Sequence, residues 1–278
     1  MNKYYKTLEL HKVLKMLADL AANEKTKQMA LELEPCTEYD TVCREIDKTA
    51  QSFDLAVRFG TPPFYNVKDV NASLRRAASG SRISLKELLE IKSILGQITA
   101  LSDWYSHCEN IQTDLDYLFS SLRPNKYLYE KLDRSIISED EISDAASPEL
   151  AAIRKKISRA GSKLRDTLDK MIKSDSVQKA LQENIVTMRD GRYVLPVKAE
   201  HRGKIQGLIH SSSATGQTIF IEPMAVVEAN NDIRMLESQE QEEIDRILTE
   251  LCRECGESIF CEGKFGSKNE SVCSGGYM

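Results

Sequence analysis

The feature that most constrains this chain is an Asp190-Gly191 dipeptide between two β-prone runs, with a long stripe of helical period on either side. Ile185-Val186-Thr187-Met188-Arg189 precedes it and Arg192-Tyr193-Val194-Leu195-Pro196-Val197 follows it. Asp-Gly suits a tight hairpin turn whose two central residues both need positive φ, so the runs are expected to pair antiparallel. The segments 205–210 and 218–221 supply two more short strands, joined by 211–216. A small four-stranded antiparallel sheet is therefore expected over about residues 184–222.

The flanking stripes set what carries that sheet. Ser147-Pro148-Glu149 offers a capping serine and a first-turn proline, a strong helix start. Apolar or small residues then recur at 150, 153, 157, 160, 164, 168 and 172. Those steps of three and four describe a coiled-coil-like seam on a helix of ~39 Å. A second stripe, Val226, Ala229, Ile233, Leu236, Ile244, Ile247 and Leu251, follows Pro223 and predicts a helix of ~42 Å. Two helices of matched length on either side of the sheet imply an antiparallel pair with the sheet at its tip.

The first 146 residues read as a compact helical bundle. Leu8, Val13, Leu14, Leu17, Leu20 and Ala21 form one apolar stripe, Asn23 is placed to cap a second helix, and 41–58 form a third that Gly60 stops. Gly60-Thr61-Pro62-Pro63 is a firm break. Ser84-Leu85-Lys86-Glu87 resembles a capping box opening a helix through Leu88, Ile91, Leu95 and Ile98. The acidic stretch 136–146 reads as a loop. The fold class is thus mainly α: a helical core over 1–146, then lever helices with their sheet over 147–251.

Charge is distributed unevenly along this frame. The net −5 averages three unlike segments: residues 1–150 carry 19 Lys+Arg against 24 Asp+Glu, 151–204 carry 14 against 6, and 205–278 carry 5 against 13. A middle at +8 inside an acidic chain marks where a polyanion would bind. Arg189, Arg192, Lys198, His201, Arg202 and Lys204 concentrate at the tip, opposed only by Asp190 and Glu200. Such residues suit phosphate contacts that position a backbone without reading bases. The other reading is that they protect the edge of a small exposed sheet. Tyr193 is the one aromatic residue nearby before Phe220, so stacking on single-stranded bases is a weak prospect. His201 and His210 lack metal-site spacing and read as surface residues.

The block from Val186 to Lys198, with Gly203-Lys204-Ile205 and Ser213-Ala214-Thr215-Gly216-Gln217-Thr218-Ile219-Phe220-Ile221-Glu222-Pro223, resembles the MutS-two family, bacterial MutS paralogues with a C-terminal Smr nuclease domain. Leu8-Glu9, Pro62-Pro63 before Asp69-Val70, and Ala146-Ser147-Pro148-Glu149-Leu150 agree, and the likeness covers about residues 3–251. It implies a core, levers and a clamp, the clamp being the tip sheet. Full-length members add an ATPase domain, with ATP and Mg, that forms a homodimer and drives the clamp. The resemblance further implies DNA, branched or mismatched, or ribosomal RNA as partner, with roles in recombination suppression, processes like mismatch repair, and ribosome rescue.

The departures from that family shape the expectation for this chain. No G-x-x-x-x-G-K-[ST] occurs, so no phosphate loop cradles a nucleotide, and no Smr-like segment follows. Neither ATP turnover nor nicking is expected from these residues, and no cofactor is assigned. The stretch 252–278 reads as a non-family tail, truncated or frame-shifted; its rival reading is a zinc knuckle from Cys252, Cys255, Cys261 and Cys273, whose second half lacks tight spacing. No run reaches the roughly 18 apolar residues of a membrane span, and the N-terminus is not a secretory signal; the expected location is the cytoplasm. The function classes left are a nucleic-acid clamp or a helical dimerisation fragment.

Overall fold

The computed structural model describes residues 7–21, 24–65, 67–108 and 111–260. The expected cap Asn23 lies outside the described residues. Two compact units are present, one of Met1–Ser143 with Leu248–Met278 and one of Asp144–Ile247.

The first unit is helical: α1 (Leu10–Leu20), α2 (Glu24–Leu31), α3 (Tyr39–Phe59), α4 (Asn71–Ala78), α5 (Leu85–Ser106), α6 (Asp116–Phe119) and α7 (Lys126–Ser135). Its core gathers Leu55 of α3, Ile98 and Leu101 of α5, and Leu115, Phe119 and Leu122 around α6. Tyr105 stacks on Phe119 with ring centroids 4.1 Å apart, and its hydroxyl donates to Asp116 at 2.5 Å. Burial, reinforced by that carboxylate, pushes the Tyr105 hydroxyl up to about 12. The α5 start is the capping box that the sequence suggests: Ser84 Oγ accepts from the Glu87 N–H while the Glu87 carboxylate accepts from the Ser84 N–H. The α1 stripe behaves differently from its reading. Only Ala18 is buried, and Val13 and Leu20 stand exposed. The helical period is there, but among the described elements α2 alone packs on α1 closely.

The second unit holds a 3-10 turn (Asp144–Ala146), α8 (Pro148–Ile172), a short α9 (Asp175–Gln178), the sheet and the start of α10 (Met224–Phe260). Ser147 caps α8: its Oγ accepts from the Leu150 N–H at 2.9 Å and donates to Glu243 at 2.6 Å. Arg154 reaches Glu240 at 2.7 Å, while Leu164, Leu168 and Ile172 share a core with Val226 and Ile233. The start of α8 therefore meets the later part of α10, and its end meets the start of α10. The two helices run antiparallel, as their matched stripes imply. The sheet order is β1-β2-β4-β3, all antiparallel, with β1 (Thr187–Arg189), β2 (Arg192–Lys198), β3 (Gly207–Ser212) and β4 (Thr218–Pro223). Asp190 and Gly191 have φ of 50° and 73°, the primed geometry the hairpin needs.

The helix reaches further than its expected end at Leu251: α10 continues to Phe260, into the stretch that reads as a tail, and Cys252 and Cys255 are buried. A single helix thus contributes to both units. In the first unit Lys131 of α7 ties down its end, reaching Glu250 at 2.5 Å and Glu254 at 2.8 Å. Small residues allow the packing: a Cβ on Gly256 would stand 2.7 Å from the backbone of Ala78 in α4. Burial drives the Cys255 thiol up to about 12, so it stays protonated and apolar in character. Cys261 and Cys273 lie outside the described residues.

Two outcomes follow from these contacts. Gly256→Ala should destabilise the chain by ~1–3 kcal/mol through overpacking, although alanine in a free helix would stabilise by about 1 kcal/mol; chemical denaturation gives the sign. Glu87 is held down to about 2 by the Ser73 hydroxyl first and then the Ser84 N–H. A depressed carboxylate adds stability above its unfolded value, lost as pH falls. Between about pH 4.5 and 2 the parent should therefore lose stability more steeply than Glu87→Gln, as read from denaturation midpoints.

Candidate nucleic-acid interface

Alternation along the strands gives the sheet two unlike faces. Leu195, Val197 and Ile221 join the lever core, with Tyr193 and Ile219 packed against it. The opposite face carries Arg189, Arg192, Lys198, Phe220 and Glu222. On it, the Arg189 guanidinium lies 4.3 Å above the Phe220 ring.

At the centre of that second face is a carboxylate with no exposed surface at all. Glu222 sits at 0% exposure directly after the apolar run Ile219-Phe220-Ile221 of its strand. Its Oε1 accepts from Arg192 at 2.8 Å and from Asn230 at 2.8 Å. Its Oε2 accepts from Arg192 at 3.0 Å and pairs with His210 Nε2 at 2.5 Å. All four lone-pair positions of the carboxylate are thus used; because an ionised carboxylate can only accept, His210 Nε2 is the donor. Burying a charge in this way requires both pairing and complete hydrogen bonding.

Each partner comes from a different element. Arg192 opens β2 right after the Asp190-Gly191 turn, and its other arm donates to Asn231 at 2.8 Å. His210 sits at the register shift between Ile209 and Ser211 in β3, where a bulge re-aims a side chain. Asn230 belongs to α10 and does a second job. Its Oδ1 accepts from the Tyr193 N–H at 3.0 Å and its Nδ2 donates to the Tyr193 carbonyl at 3.1 Å. The amide takes the place a strand would occupy, because β4 has already turned into α10 there. Glu222 therefore locks the hairpin, the bulged strand and the lever helix together.

The sequence-derived contact set divides on this geometry. Arg189, Arg202 and Lys204 are exposed, and Lys198 and His201 are half-exposed. His201 stands 3.7 Å from Glu200. Arg192, counted among the phosphate contacts, has a side chain only 15% accessible and bound in the Glu222 ion pair. His210, read as a surface residue, is a partner in the same pair. The network itself was missed, although a glutamate between Ile221 and Pro223 in a β-run is a visible signal that a buried partner must exist. Lys198, Arg202 and Lys204 form no ion pair among the described residues.

Antiparallel helices carrying a small sheet fringed by free cations define a lever-and-clamp module. The chain is 42% identical over 255 residues to Endonuclease MutS2 of Ruminiclostridium cellulolyticum, covering 91% of this chain and 32% of that protein. It is 44% identical over 257 residues to the Acetivibrio thermocellus protein of the same name and 41% identical over 252 residues to that of Agathobacter rectalis, with 91% and 90% of this chain and 32% of each relative covered. No family model matches the sequence. The chain belongs to the MutS2 family and spans about a third of the length of the curated relatives it matches. No described helix is long and apolar enough to cross a membrane.

The network predicts a clear order of effects. Arg192→Ala, which strands a buried carboxylate, should cost ~3–5 kcal/mol. Replacing both partners, Arg192→Met with Glu222→Leu, should recover much of that loss. Denaturant titration of the two variants checks this; equal destabilisation by both would mean that the ion pair itself is not what holds the sheet.

Proposed function

We propose that this chain is the core, lever and clamp portion of a MutS2-type protein and that its clamp grips the phosphate backbone of nucleic acid. One observation carries the reading: Arg202 and Lys204 stand exposed beside Lys198, none of the three in an ion pair among the described residues, while Arg192 of the same sheet is already neutralised by Glu222. Arg192 is then scaffold, and Arg189, Lys198, Arg202 and Lys204 supply the contacts, with His201 at their margin. A rigid set of cations without exposed stacking rings suits a duplex backbone better than splayed bases. Branched DNA and structured ribosomal RNA both offer that backbone.

Nucleotide hydrolysis is not assigned to these residues. A phosphate loop is absent from the sequence, so ATP and Mg have no cradle in this chain, and no step of the proposed function passes through them. Dimerisation through an ATPase domain and nuclease activity belong, on this reading, to parts of MutS2 proteins that this chain does not match.

Affinity for duplex DNA should be weak, on the order of 10⁻⁴ to 10⁻⁶ M at physiological salt, and log K should fall with log salt by about 0.9 per phosphate contact. Arg202→Glu with Lys204→Glu should weaken binding to all sequences alike and flatten the slope by about two contacts' worth, with unchanged circular dichroism. A double variant that binds branched DNA and structured RNA as the parent does, across a salt series, would leave these cations as edge protection.

A further inference from the structure

The second unit carries a set of cations that the clamp does not account for. On α8, Lys155, Lys156, Arg159, Lys163 and Lys170, with Lys173 just beyond its end, are all exposed. At 100° per residue they fall on one side of the helix, within roughly a 100° arc, and extend ~27 Å along it. The buried seam of Leu150, Ile153, Leu164 and Leu168 lies on the other side. Asp166 is the one acid inside the stripe.

Three observations distinguish this stripe from an ordinary solvated face. First, none of its six cations makes an ion pair among the described residues. The neighbouring helix α10 is rich in acids, and Arg154, which faces it, does pair with Glu240 at 2.7 Å. The stripe is turned away from the carboxylates that would neutralise it. Second, the outward side of α10 carries Glu228, Asp232 and Glu242, all exposed, with Arg246, paired to Glu243, as the one cation among them. The lever pair is thus positive on one helix and negative on the other. Third, the stripe runs into the clamp. Beyond Lys173 the chain passes through α9 to Ala180, whose carbonyl accepts from the Lys198 N–H at 2.9 Å. Gln182 in turn donates to Pro196 at 2.9 Å.

We infer that the outer side of α8 is a second phosphate-binding track, continuous with the clamp cations at Lys198, along which the backbone of a nucleic-acid duplex lies. This inference rests on the clamp reading and extends it. The acidic outer side of α10 repels the same backbone, so the lever pair accepts a duplex on one side only. Lysines suit this task, since each is a mobile point charge that tracks phosphates without demanding base geometry. The track lengthens the contact by ~27 Å, or about eight base-pair steps at 3.4 Å each.

The test compares four forms of the whole chain against linear duplex DNA over a salt series: the parent, Lys156→Glu/Lys163→Glu/Lys170→Glu, the same three positions changed to Gln, and Arg202→Glu/Lys204→Glu. The α8 triple variant should bind at least ~10-fold more weakly at low salt and reduce the slope by about two to three. A Gln triple at the same positions should give a smaller loss in the same direction. If the clamp variant loses affinity and both α8 triples do not, the track is wrong and the clamp reading stands. If neither set changes binding, both fail. The rival occupant is the acidic α10 surface of a second copy, a head-to-tail contact. Sedimentation without nucleic acid at low salt separates it: association of the parent that the α8 triple abolishes, with duplex binding unchanged, would overturn the track.

Discussion

The buried carboxylate of Glu222 is the interaction on which the shape of the clamp depends. A four-stranded sheet of three- to seven-residue strands has little core of its own. Its inner face borrows one from α8 and α10. Its outer face buries Val194 and Phe220, and beside them a charge is buried and satisfied on every side by Arg192, His210 and Asn230. Such a group is costly if any partner is lost. It therefore tolerates one arrangement of the hairpin, the β3 bulge and the α10 start, and fixes the platform from which Lys198, Arg202 and Lys204 project.

The same network settles how the sheet joins the lever. Asn230 pairs with both polar groups of the Tyr193 backbone while also binding Glu222. Tyr193 then lays its ring toward α8, where the Arg165 guanidinium stands 5.7 Å from the ring centroid and Gly161 leaves room beneath the hydroxyl. From this chain of contacts, a displacement of α10 relative to α8 has to pass into β2. The helix that holds Asn230 also continues into the first unit, where Cys252, Cys255 and Gly256 are packed. One element thus has its two ends in two separate cores.

Much of this was legible in the residues themselves. The Asp190-Gly191 turn, the Ser147-Pro148 start and the Ser84–Glu87 box carry local chemistry that decides their conformation without tertiary help, and all three stand as read. Patterns that need a partner were less secure. The α1 stripe has helical period, but period does not say what packs on it, and Val13 and Leu20 remain exposed. Cys252 and Cys255 lie beyond the last residue of the expected stripe, in a segment whose composition resembles a tail. Cys252 lies against the Ile83 carbonyl, 169 positions away in sequence, and the neighbouring Gly256 packs on the backbone of Ala78 in α4. Arg192 was counted with its basic neighbours because charge density along the sequence does not register a glutamate thirty residues on. Position parity in the strands would have revealed it: Arg192 and Glu222 share a sheet face with Val194 and Phe220.

The account's central claim is that nucleic acid lies against the clamp cations of the second unit. The most direct measurement is protection of lysine side chains from acetylation, followed residue by residue, with and without saturating duplex DNA at low salt. The account predicts that Lys198 and Lys204 become protected, while the exposed Lys15, Lys86 and Lys126 of the first unit react as in the free chain. Protection spread evenly over both units, or confined to the first, would contradict it.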